Sequence, residues 1–159
     1  MILYHGSNIS VEKPRILKRL RALDFGGGFY LTFSEEQAGR WARTVTRRRR
    51  EGSPIINLYE FDLVGTNDLE VMKFTTANEE WLDFVVRNRK EIPPENQYDL
   101  VIGPVANDAT LPVIDDYMDG KYTQEEAVKR LLPQKLTDQY AFLTVEALSI
   151  LEFKGGINV

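Results

Sequence analysis

Strand-like and helix-like segments follow one another in this chain without regular alternation, and that order constrains the fold more than any other feature. Met1 to Tyr4 reads as a strand ending at His5, within Ile2-Leu3-Tyr4-His5-Gly6-Ser7. Residues 8–24, with Pro14 and scattered Lys and Arg, predict a helical turn and then a loop. Phe29 to Phe33 is a short β-rich run behind three glycines. Ser34 reads as an N-cap with Glu35 and Glu36 in the first turn, opening a helix that runs toward Arg50. Ile55 to Leu63 alternates apolar and polar over part of its length and predicts a strand. Asn78 caps a helix through Arg89, with Trp81, Phe84, Val85 and Asn88 on one face, and Pro93-Pro94 ends that segment. Tyr98 to Ile102 is a strand broken by Gly103-Pro104. Residues 108–118 and 123–132 read as helices separated by Gly120, the second capped by Thr123. Gln139 to Leu143 is a strand, Val145 to Ile150 a short helix and Leu151 to Lys154 a closing strand. Such an order favours α+β over a doubly wound fold.

At 159 residues the chain fits one domain, 1–159, with a single core and no internal repeat. Its hydrophobic fraction of 43% and charged fraction of 28% are globular values. No cysteine is present, which excludes disulfides, thiolate metal sites and cysteine nucleophiles. With one histidine, a zinc site would need three carboxylates, so no metal is expected. No 18-residue apolar run and no basic n-region occur, and the expectation is a soluble cytoplasmic protein without membrane contact. Charge is unevenly spread. Residues 1–50 carry 11 Lys/Arg against 4 Asp/Glu, and residues 51–159 carry 9 against 20, a balance of +7 facing −11. The asymmetry fits either a basic binding face or two halves that attract each other.

The only histidine, His5, ends an apolar strand and runs into Gly6, whose main-chain N–H and C=O can meet a ligand amide. Gly26 to Gly28 let the backbone approach a ligand closely, and Tyr30 presents a flat ring behind them. A stacking face with a main-chain donor and acceptor is what a nicotinamide ring needs. Each residue also has a plain reading: a satisfied structural histidine, a core tyrosine, an edge-strand glutamine at Gln139. Trp41, at helical spacing from Gln37 and Ala38, reads as core ahead of a second stacking platform.

Tyr4-His5-Gly6-Ser7 resembles the first-strand motif of the ADP-ribosyltransferase superfamily, in the branch with a His-Tyr-Glu triad that includes diphtheria toxin and the poly(ADP-ribose) polymerases. Gly28-Phe29-Tyr30-Leu31 resembles that branch's second motif, and Asp138-Gln139-Tyr140 sits where it carries its catalytic glutamate and a tyrosine. Over nearly the whole chain, the sequence resembles a group of uncharacterised bacterial proteins within that superfamily. The shared blocks are Asp24–Thr32, Gln37-Ala38 with Trp41-Ala42, Gly103-Pro104-Val105-Ala106-Asn107-Asp108, and the Gln139 strand.

The resemblance implies a split two-sheet β core with flanking helices and NAD across the cleft between the sheets. It implies that His5 holds the adenosine-side ribose, that Gly6 holds the carboxamide and that Tyr30 stacks on nicotinamide, with Ser7, Gly28 and Trp41 in the same binding set. The implied reaction breaks the nicotinamide–ribose bond through an oxocarbenium-like state and passes ADP-ribose to a protein, nucleic-acid or small-molecule acceptor. One of Lys13, Arg15, Lys18, Arg19 and Arg21 would meet the pyrophosphate, since guanidinium suits it. Proteins that resemble the chain are often toxins or effectors, which implies a neutralising antitoxin-type partner.

Gln139 departs from the glutamate pattern. A neutral amide still hydrogen-bonds a ribose but lends no charge, at a cost of roughly 10²-fold or more in rate. Glu146, Glu60 and Asp62 are the substitutes, Glu146 on a helix and the other two on another strand. The reading is therefore a mono-transferase. Its first alternative is a catalytically inactive NAD or ADP-ribose binder. Its second is a nucleic-acid-binding domain built on Arg47 to Arg50 with Arg40 and Arg43, although four consecutive arginines spread around a helix axis. Asn107 and Asp108 read as caps for the next helix.

Overall fold

A computed structural model describes residues 1–16, 24–94 and 96–159. Seven strands follow in chain order among these residues: β1 (Ile2–Ser7), β2 (Phe29–Thr32), β3 (Ile55–Glu60), β4 (Val71–Lys73), β5 (Leu100–Pro104), β6 (Asp138–Phe142) and β7 (Glu152–Asn158). Five α-helices join them: α1 (Glu35–Arg49), α2 (Glu79–Arg89), α3 (Leu111–Met118), α4 (Gln124–Leu131) and α5 (Val145–Leu148). The fold is α+β. The sheet order is β4-β5-β6-β2-β1-β3-β7, antiparallel throughout except for the parallel pair β4 and β5.

Local chemistry sets the helix starts. Ser34 accepts from the Gln37 N–H, Asn78 from Trp81 and Thr123 from Glu126, each satisfying a first-turn donor that has no intrahelical partner. Before α3, Asn107 Oδ1 accepts from the N–H groups of Ala109 and Thr110, so the helix begins at Leu111 and residues 108–110 form the turn that leads in. Asp108 is exposed.

Several strand limits differ from the expected ones. β1 does not stop at Tyr4; it stays paired with β3 through Ser7 opposite Ile55, which puts His5 and Gly6 inside the strand. Gly6 is there because α1 presses against it. A Cβ would lie 2.1 Å from the Ala38 carbonyl oxygen and 2.7 Å from the Ala42 nitrogen. β3 ends at Glu60, and Asp62 then caps a 3₁₀ turn over Leu63–Thr66. β5 keeps Gly103 and Pro104, which lie opposite Gln139 and Asp138. β7 runs on to Asn158 because Gly155 takes φ +122° at a register shift and the pairing with β3 resumes.

Two clusters sandwich the sheet. One face carries Phe25, Trp81, Val85, Val101, Ile114, Leu131 and Ala141 under α2, α3 and α4, with the Trp81 indole N–H donating to the Pro104 carbonyl at 2.9 Å. α1 packs on that same face over β1 and β3, where Ile56 meets Gly39. Leu3, Phe29, Leu31, Tyr59, Phe61 and Phe142 form the other cluster, closed by Ala147 and Leu148 of α5. No helix among the described residues is long and apolar enough to cross a membrane.

Hydrogen bonding runs through all seven strands, so the two separate sheets implied by the resemblance are here one sheet. Its weakest seam lies between β1 and β2, which share a single registered pair, Tyr4 opposite Thr32.

Candidate functional site

At that seam a side chain supplements the short ladder. His5 Nδ1 lies 2.8 Å from the Tyr30 carbonyl oxygen. A carbonyl only accepts, so Nδ1 carries the proton, and in the neutral ring Nε2 holds the lone pair. The imidazole also packs on the Phe29 ring, with centroids 4.2 Å apart. His5 therefore bridges the two halves of the sheet where backbone pairing is thin.

Residues directly opposite in an antiparallel sheet share a face. Tyr4, Thr32, Gln139 and Gly103 lie opposite one another in turn across β1, β2, β6 and β5, forming one row. Tyr30 and Ala141 form the next row. Tyr30 and Gln139 therefore share the helix-covered face. Strand alternation points His5 to the opposite face, beside Phe29, and its link to Tyr30 runs through the backbone carbonyl.

The Tyr30 hydroxyl donates to the Gly26 carbonyl and ties the glycine turn to β2. Gly26 sits at φ +94°, a conformation that favours glycine. Gly28 has a packing reason, since a Cβ there would lie 2.7 Å from both the Leu143 side chain and the Phe142 carbonyl. Ser7 is buried at the end of β1.

Gln139 is the unusual member. Its Nε2 is buried and, among the described residues, is the single buried side-chain polar atom without a hydrogen-bond partner. Beside it, the Thr32 hydroxyl donates to Gln37 Oε1 at 2.7 Å and accepts from the Ser34 N–H at 3.0 Å. Thr32 and Gln37 were not expected site residues. The signal that places them is register, Thr32 facing Gln139, together with the first turn of α1 that the Ser34 cap fixes. On the strand next to Gln139, burial pushes the Asp138 carboxyl up from the ordinary aspartate range, and the Lys73 charge pulls it partly back.

Two of the alternative carboxylates have other partners and the third faces solvent. Glu60 lies 3.1 Å from Lys154, Asp62 caps the 3₁₀ turn through the Val64 N–H, and Glu146 is exposed in the first turn of α5. Trp41 does not join the core: it is 47% exposed on the outer face of α1, with the Arg48 guanidinium 5.5 Å from its ring centre. Lys13 and Arg15 are exposed, and Lys18, Arg19 and Arg21 lie outside the described residues. A separate groove of about 310 Å³ opens beside α2, between Phe84, Tyr98 and Ile92.

The arrangement offers one donor waiting for an acceptor, one aromatic ring and one histidine that clamps the seam. Nothing among curated proteins or solved structures matches the chain. The family described as "Protein of unknown function (DUF3990)" matches residues 1–153, so the chain belongs to the DUF3990 family.

Proposed function

We propose that this DUF3990 protein is an NAD-dependent ADP-ribosyltransferase-like domain that passes single ADP-ribose units to an acceptor. The observation that carries the reading is the buried, unpartnered Nε2 of Gln139 in the row with Thr32 and beside Tyr30. A buried donor left unpaired costs about 1–3 kcal/mol, and that cost has a use where a ligand oxygen completes the bond. A ribose hydroxyl is such an acceptor. Other features support the same reading: the Tyr30 ring shares the face of Gln139, the Tyr30 hydroxyl anchors the glycine turn, and His5 bridges the thinly paired strands from the opposite face.

Gln139 also sets the limit of the chemistry. Its amide donates to a sugar oxygen but brings no charge to an electron-poor sugar carbon, so transfer is slow and repeated extension is not supported. A second reading, a nucleotide binder without catalysis, rests on the same amide together with Glu60 paired to Lys154, Asp62 capping a 3₁₀ turn and Glu146 on α5.

Nicotinamide released from NAD, with and without cell extract as acceptor, tests the reading. The transferase reading expects slow, extract-stimulated release that Gln139→Glu accelerates. Silence in the wild type with release gained in Gln139→Glu selects the binder. Silence in both, with no NAD binding by either, removes the nucleotide reading.

A further inference from the structure

The arginines of α1 do not compose one surface. Arg40 pairs with Glu36 at 2.8 Å, Arg49 donates to Asn8 Oδ1 at 2.9 Å, and Arg50 caps the helix from outside it at φ +53°. On α2 one face does carry a set of polar residues together. Glu80, Asp83, Phe84, Arg87 and Asn88 recur at spacings of three and four, and all five line the groove of about 310 Å³ beside that helix.

Three rings line it as well. The Phe84 ring centre lies 5.3 Å from that of Phe74 and 6.3 Å from that of Tyr98. Phe74 is buried, but Phe84 and Tyr98 are only half-buried, and Ile92 beside them is 44% exposed. Core packing accounts for Phe74 and leaves the open surface of the other three uncovered.

The charges on this face are ordered. Glu80 and Asp83 come first and are exposed, and among the described residues neither forms an ion pair. The helix dipole accounts for Glu80, in the first turn, but not for Asp83 beyond it. Arg87 lies one turn past Asp83, about 6 Å along the axis, and the two do not pair.

Carboxylates at the rim of an aromatic-walled groove select a cation. The rings attract it, the apolar wall takes its body, and the carboxylates take its charge. The volume is that of a small-ligand pocket, a class that begins at about 300 Å³. We infer that the groove beside α2 binds a small organic cation, an ammonium group on an apolar body, with Glu80 and Asp83 at the charge and Phe84 and Tyr98 at the body. The inference stands whether or not NAD binds elsewhere.

NMR titration of benzyltrimethylammonium in about 50 mM salt, without NAD, tests it, with benzyl alcohol as the neutral counterpart and benzenesulfonate as the anionic one. The cation should bind with a Kd of about 1 mM or below, shift the Phe84 and Tyr98 resonances, and bind at least about fivefold more tightly than benzyl alcohol. The double variant Glu80→Gln, Asp83→Asn should weaken it about fivefold, since each exposed carboxylate adds modestly. Glu125→Gln, exposed on α4, should change nothing. The comparison of probes needs no variant to fold. No saturable shift up to about 10 mM cation, a neutral or anionic probe that binds as tightly, or binding indifferent to the double variant overturns the inference. So does trilysine held by Glu80 and Asp83 where the small cation is not, which would mark the face as one for a basic protein.

Discussion

Methionine at position 139 keeps the length of glutamine and removes the buried donor that has no partner. If that donor is an orphan in the free protein, Gln139→Met relieves its desolvation cost, about 1–3 kcal/mol. The neighbours of position 139 across the sheet are Thr32, already paired with Gln37, and Gly103, so the substitution breaks no hydrogen bond among the described residues. A net gain of about 1–2 kcal/mol is expected, which for a domain of this size raises Tm by roughly 2–8 °C. Thermal unfolding and urea unfolding with an unchanged m value measure it. Saturating NAD should then invert the order. A ligand at 100 times its Kd stabilises the wild type by about 2.7 kcal/mol, whereas the variant lacks the donor and gains less. A Gln139→Met protein less stable than the wild type in the absence of ligand would mean that the amide has a partner in the free protein, and the orphan donor would be ruled out.

Three further outcomes follow from the packing. Gly6→Ala sets a Cβ against the α1 backbone, the Ala38 carbonyl must retreat by about 1 Å, and stability falls by about 2–3 kcal/mol; Gly27→Ala, where a Cβ meets nothing within 4 Å, should stay within about 0.5 kcal/mol in the same urea titration. Trp81→Phe leaves the buried Pro104 carbonyl without its indole donor and should cost about 2–3 kcal/mol by denaturant unfolding. Asp138→Asn should raise Tm at pH 7. The folded-state pKa of Asp138 is raised, so its contribution is favourable below the unfolded aspartate value and is lost as pH rises, and the advantage of asparagine should fade toward about pH 3.

Legibility in the sequence followed the range of the interaction. The helix starts at Ser34, Asn78 and Thr123 could be read directly, because a cap is chemistry between residues three apart. Strand limits at glycine could not. The sequence ends strands just before Gly6 and Gly155, yet one makes room for α1 and the other lies at a register shift inside β7. β4 escaped notice because it is three residues long, pairs in parallel at a sheet edge and shows no period.

Within the candidate site, His5, Tyr30 and Gln139 stood out as residues. Their relation did not, since the tie from His5 runs to a backbone carbonyl and the shared face of Tyr30 and Gln139 depends on β2–β6 register. Trp41 reads as core from its spacing yet lies exposed, for a similar reason. Spacing along a helix says which residues share a face but not whether that face is covered, and α1 turns Ala38, Gly39 and Ala42 inward instead.

On the proposed reading, the β1–β2 seam and Gln139 form a nucleotide site. Calorimetric titration of NAD into the wild type and into His5→Ala, with circular dichroism confirming that both are folded, addresses it most directly. Saturable binding by the wild type is expected, weakening at least about tenfold when His5, the bridge to the Tyr30 carbonyl, is removed. No heat of binding to either protein, or equal affinity for both, would contradict it.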